Sequence, residues 1–268
     1  MKIAIIVGHS ILKSGLCTSA VGVVNEYQYC KILSDFLAKI LRASGCAVDV
    51  IICPERQFTN KSQERTYKLP RINGKKYDLV IELHLNSYNG SAKGTEVLYC
   101  SNTGKIYAQR VVNKLGTVFT SRGVKDRPDL YMLNSTDCPA IMIETFFCDN
   151  KDDSAISTRV GYGEVAKLIA EGILNKTISL GSNTKIKKNC VLYSNDADRT
   201  IAEVLKWSKE DCVVMDVLNF KSYTAENLFV VGGRTEEALK KMNLPDRYTV
   251  FNGVDRWDTL NKVLNKNF

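Results

Sequence analysis

The chain has 268 residues, 44% of them hydrophobic and 25% charged, which is the composition of a globular protein with room for two domains. No stretch approaches the length of a membrane span. The N-terminus enters a strand at once, with no apolar segment and small-residue cleavage site, so the expectation is a cytoplasmic chain without stable membrane association. An excess of 37 basic over 29 acidic residues leaves +8, which favours polyanions such as an anionic cell wall or describes only a solvated basic surface. No helix-turn-helix or aromatic–basic interleaving favours nucleic acid.

The 9 cysteines are odd in number, scattered among apolar neighbours, and include no Cys-x-x-Cys pair. They read as small hydrophobes of a reduced protein, not as a disulfide framework or thiolate cluster.

The apolar run Ile3–Gly8 predicts a buried strand that ends on His9. A Gly- and Ser-containing loop follows over Ser10–Gly22. A helix is expected from Glu26 to about Ser44, capped by Asn25 with Gln28 completing a capping box and Gly45 as its stop. Val48–Cys53 reads as a short strand closed by Pro54. The polar, basic segment Gln57–Lys76 reads as a surface excursion with one short helix. Tyr77–Leu83 is a second buried strand, ending on His84, and Glu96–Cys100 is strand-like.

A helix over about Lys105–Leu115 and a short apolar run at Leu130–Leu133 come next. The strand Ala140–Ile143 then ends on Glu144, and an amphipathic helix covers Val160–Leu174. This alternation predicts an α/β fold whose mostly parallel sheet lies between helices. The predicted domains are residues 1–176, a polar linker at 177–190, and a small C-terminal α/β domain at 191–268. Within the latter, Val213–Val217, Leu228–Val231 and Val250–Phe251 read as strands, Gly232-Gly233 as a turn, and a helix closes the chain. At about eighty residues this domain is near the lower limit of independent folding, and a homodimer through it would help.

His9 and His84 are the only histidines, and both stand at the C-terminal ends of buried strands, where open α/β sheets bind their ligands. With Glu26 at a helix start, they can supply three zinc ligands and leave one position for water. Glu144 would be the base. Glu82 shares the strand face of His84, as a support or as a neighbour at the edge, and is not counted among the ligands. Read singly, each member has a plainer explanation: a hydrogen-bonded histidine, a carboxylate on a helix dipole, a loop acid. Together they favour catalysis.

Four segments in order carry a resemblance: Val7-Gly8-His9, Asn25-Glu26, Leu83-His84-Leu85-Asn86, and Pro139-Ala140-Ile141-Met142-Ile143-Glu144-Thr145-Phe146-Phe147. Over about Lys2–Leu174 the chain resembles the zinc-dependent N-acetylmuramoyl-L-alanine amidases of type 3. The resemblance implies a twisted sheet of about six strands with helices on both faces. It also implies Zn2+ on His9, Glu26 and His84, and Glu144 as the catalytic carboxylate, while Asn86 is a candidate substrate contact. The chain departs from the family at Ile6-Val7, where Asp-Pro is usual, and at Leu85, where a small residue is usual. Both bear on the substrate groove more than on the ligands.

In the second domain, Phe251–Leu260 and Leu228–Gly233 resemble type 2 cell-wall-binding repeats of clostridia, and Asp196–Thr200 resembles a degenerate copy. An ion pair of Asp255 with Arg256 that defines the fold is an equal reading of that motif. An amidase tethered to such a module resembles a bacteriophage endolysin acting on clostridia. It would be held in the host cytoplasm until lysis, with peptidoglycan and its anionic polymer as partners. The alternatives are an autolysin or sporulation amidase of the same chemistry, a zinc peptidase cutting within the stem peptide, and a non-catalytic wall-binding protein.

Overall fold

The computed structural model describes residues 1–178, 187–220, 225–242 and 248–267. Two compact units divide the chain, Met1–Thr184 and Lys185–Phe268. In the first, the elements run β1 (Lys2–Val7), α1 (Glu26–Ala43), β2 (Ala47–Ile51), α2 (Ser62–Ile72), β3 (Leu79–Asn86), β4 (Thr95–Tyr99), α3 (Asn102–Leu115), β5 (Ser121–Asp126), α4 (Tyr131–Asn134), β6 (Ala140–Phe147) and α5 (Lys151–Leu174). The six strands form one sheet in the order β2-β1-β3-β6-β4-β5. Only the β4–β6 pair is antiparallel, so the sheet is mostly parallel, as its succession of elements implies.

The apolar runs become the central strands β1, β3 and β6, which are covered on both faces. The edge strand β5 reads Ser-Arg-Gly-Val-Lys-Asp, with neither an apolar run nor alternation. Nothing in its residues announces a strand; its pairing with β4 does. Alternation along the central strands puts Ala4, Ile6, Val80, Ala140, Met142 and Leu98 into one core cluster with Ile72 of α2 and Met132 and Leu133 of α4.

Three expectations need correction. The segment 57–76 is not a polar surface excursion: α2 buries Glu64, Lys68 and Ile72. Helix α5 starts at Lys151, capped by Asn150, and breaks at Gly161, whose φ of 76° is left-handed; the apolar periodicity from Val160 picks out only its second half. In α1, Asn25 accepts the N–H of Gln28, but Gln28 Oε1 is buried without a partner, so the reciprocal half of the capping box is not made.

The second unit is a parallel four-stranded sheet in the order β10-β9-β7-β8, built from β7 (Lys187–Tyr193), α6 (Asp196–Trp207), β8 (Cys212–Asp216), β9 (Ala225–Val231), α7 (Gly233–Lys241), β10 (Tyr248–Phe251) and α8 (Arg256–Asn267). Both faces of the sheet carry apolar clusters, one around Leu228, Val230 and Leu239, the other around Val191, Leu205 and Val263. Lys187–Asn189 belong to β7, so the expected linker ends earlier than residue 190; its residues 179–186 lie outside the described residues. Asp255 accepts the N–H of Asp258 (2.8 Å), and Asp258 pairs with Lys262 (2.9 Å). The acids of this motif thus start and brace α8 in place of the expected Asp255–Arg256 pair. Among the described residues no helix is long and apolar enough to cross a membrane.

Candidate metal centre and its carboxylate

The face of the sheet that packs on α2 and α4 is apolar at one end and charged at the other. Along β3 it reads Val80, Glu82, His84, Asn86, and along β6 Ala140, Met142, Glu144. His84 pairs with Glu144 across parallel neighbours, and Glu144 pairs with Glu96 of the antiparallel β4. Strand β1 lies on the other side of β3 and delivers His9 just beyond its end. His9 has φ 65°, a left-handed backbone that a non-glycine residue keeps only where its surroundings hold it. The first turn of α1 brings Glu26 to the same rim.

The three groups converge. Glu26 Oε1 lies 2.9 Å from His9 Nε2 and 2.9 Å from His84 Nδ1. It also accepts the Leu85 N–H at 3.1 Å, while Oε2 accepts the Ala20 N–H at 3.0 Å. One ligand atom from each of His9, Glu26 and His84 can be chosen so that all lie within 4.8 Å of one another. The imidazole rings meet edge to face, 4.7 Å between centroids.

Burial alone would raise the Glu26 carboxyl, but hydrogen bonds from His84 and His9 outweigh it and hold the group well below the usual carboxylate range. For His84, burial opposes the charged ring; the bonds to Glu26 and Glu82 prevail and push it up to about 10. Burial raises Glu144 to about 7, with the charge of His84 pulling the other way. Its Oε2 is buried without a hydrogen-bond partner. Two imidazoles and a carboxylate turned inward on one point are a donor set that fits a zinc ion. The orphaned Glu144 oxygen, on the strand next to His84, is left without a bond to satisfy it.

Asn86 reaches the rim with both ends of its amide taken: Nδ2 donates to Glu96 Oε1 (2.9 Å), and Oδ1 accepts the Ser87 N–H (2.9 Å). Arg122 braces Glu96 from the other side, Nε to Oε2 at 3.0 Å. Glu96 and Arg122 escape a reading by motif, because β4 and β5 reach the site only through sheet order. Gly8 is a further omission. A Cβ there would lie 2.5 Å from His84 Nε2 and 2.8 Å from Nδ1, so the backbone before His9 cradles the other ring. Its place between a buried strand and a histidine was the available signal.

A sequence profile of the family described as N-acetylmuramoyl-L-alanine amidase matches residues 3–175. Among solved structures, the catalytic domain of the CD27L endolysin, which targets Clostridium difficile, is 59% identical with a TM-score of 0.66, covering 67% of this chain and 99% of that one. An uncharacterised 38.4 kDa protein of Clostridium perfringens is 31% identical over 220 residues, 75% of this chain but 62% of its own length. The endolysin of Bacillus phage SPP1 is 33% identical over 115 residues, 38% of this chain and 41% of that protein. The chain thus spans less than two thirds of either curated relative. A profile match over residues 3–175, on a sheet whose strand ends gather His9, Glu26, His84 and Glu144, makes this chain a member of the N-acetylmuramoyl-L-alanine amidase family.

Proposed function

We propose that the chain is a zinc-dependent peptidoglycan hydrolase of the endolysin kind, cutting the amide between the lactyl group of N-acetylmuramic acid and the L-alanine of the stem peptide. The observation that carries this reading is the convergence of His9, Glu26 and His84 next to a carboxylate, Glu144, with a buried and unpaired oxygen. His9, Glu26 and His84 are the residues that would hold the zinc, which when bound supplies Lewis acidity to the water and the scissile carbonyl.

Glu144 takes a proton from the water as the water oxygen bonds to the carbonyl carbon. It gives that proton to the alanine nitrogen as the C–N bond breaks. One water is consumed, and a carboxylic acid and a free amine leave. A carboxyl lifted to about 7 is suited to both halves of that exchange. Asn86, held by Glu96 and Ser87, is assigned to the substrate on the same rim.

The second unit is assigned to binding the wall and its anionic polymer. Support comes from the repeat-like segment Phe251–Leu260. A tether to an insoluble substrate raises the local concentration of the catalytic unit.

Mass spectrometry of fragments released from purified clostridial walls tests the reaction. Intact stem peptides with new L-alanine N-termini, lost with a chelator and regained with zinc, are expected. Fragments cut within the stem peptide would replace the amidase assignment by a peptidase.

A further inference from the structure

Helix α2 presses a set of buried charges against the back of the site. Lys68 and Glu64, one helical turn apart, are 1% and 4% exposed. Lys68 Nζ lies 2.9 Å from Glu82 Oε1 and 3.9 Å from Glu64 Oε2. Three charges buried this deeply are costly to keep, and the amide cleavage described above uses none of them.

Each carboxylate leads on to a different imidazole. Glu82 Oε2 is 3.5 Å from His84 Nε2. Glu64 Oε1 accepts the hydroxyls of Ser10 (2.8 Å) and Thr18 (2.6 Å), and Thr18 Oγ1 is 3.5 Å from His9 Nδ1. A threonine hydroxyl has a single proton. Given to Glu64, it leaves the Thr18 oxygen as an acceptor for the Nδ1–H of His9. Both rings therefore turn one nitrogen to Glu26 and the other to a group tied to Lys68.

We propose that Lys68 is a positioning residue for both imidazoles, acting on His84 through Glu82 and on His9 through Glu64 and Thr18. Without the ammonium, Glu64 and Glu82 face each other with no counter-charge, and the supports behind both rings separate. Outer partners of this kind alter metal affinity by about 10–100-fold. That consequence rests on the zinc reading; the placement of the rings does not.

The untagged 268-residue chain contains only two histidines, so its imidazole 15N–1H spectrum shows two rings. In the zinc-free protein, Lys68→Met is expected to shift both ring signals, Glu82→Gln that of His84 more than that of His9, and Glu64→Gln that of His9 more than that of His84. Competition with a chromophoric chelator should show Lys68→Met binding zinc about 10–100-fold more weakly, and Lys68→Arg recovering most of the loss. If Lys68→Met does not fold, as judged by circular dichroism, the double variant Lys68→Met/Glu82→Gln leaves one buried carboxylate, Glu64, in place of two, and its His9 signal should move further than in Glu82→Gln alone.

A folded Lys68→Met with unmoved ring signals and zinc affinity within twofold of the parent overturns the proposal, as does a folded double variant whose His9 signal stays where Glu82→Gln alone puts it. So does a pattern in which every variant moves both rings alike. A parent chain that binds no zinc would end the zinc reading, while the pattern of ring shifts would still judge Lys68.

Discussion

Replacing Gly8 by alanine attacks the proposed zinc site through space alone. The glycine N–H bonds to Leu83 O at 3.0 Å, and the substitution leaves that bond in place. The new Cβ would stand 2.5 Å from His84 Nε2 and 2.8 Å from Nδ1. Non-bonded heavy atoms settle near 3.5 Å or more, so the ring must retreat by about 1 Å. Overpacking of this kind costs about 1–3 kcal/mol of stability.

The effect on the metal is larger, because zinc sites hold their ligand distances within about 0.2 Å. A retreat several times that tolerance takes His84 out of the ligand set. Zinc affinity should fall at least about a hundredfold, roughly 3 kcal/mol. Chelator competition measures the affinity, and thermal unfolding of the chelated protein measures the packing cost separately. Parental zinc affinity in a folded Gly8→Ala chain would refute the contact between Gly8 and the His84 ring as a constraint on the site.

Glu144→Gln should keep its zinc, by elemental analysis, and lose about 10²–10⁴-fold in wall hydrolysis; a variant retaining a tenth of the activity would remove Glu144 from proton transfer. His84 at about 10 must give up a proton to become a ligand, so zinc affinity should fall as pH falls from 9 to 6. Chelator competition across that range reads the slope; an affinity independent of pH contradicts the protonated His84.

Glu82 bears on acid stability. Burial would raise its carboxyl, but Lys68 holds it at about 2, below an unfolded value of 4.5. Its contribution, on the order of 3 kcal/mol, is present above pH 4.5 and lost as pH falls toward 2. Denaturant unfolding of the chelated chain, followed by the His9 and His84 signals, should be markedly easier at pH 3 than at pH 6. A flat profile would show that Lys68 does not hold the Glu82 carboxyl down.

Local order and apolar patterning carried a large part of the result. Strands β1, β3 and β6 announce themselves because central parallel strands are covered on both faces and must be apolar throughout. That same rule puts His9, His84 and Glu144 where a polar residue ends a buried run. The helix start at Asn25-Glu26 follows from capping chemistry, which acts over four residues and is visible there.

What the order of residues did not disclose depends on groups far apart in the chain. The Lys68–Glu82 pair looks like surface charge until α2 is laid on the sheet, because burial is a property of the neighbours and not of the lysine. Strand β5 exists through its hydrogen bonds to β4, and Glu96 meets Glu144 only because β4 joins the sheet antiparallel beside β6. Gly8 matters through a ring contributed 76 positions later, close enough to leave no room for a methyl group. Short-range chemistry thus marked the proposed ligands and the carboxylate; long-range packing alone set the distances, the shifted acidities and the buried charges that stand behind them.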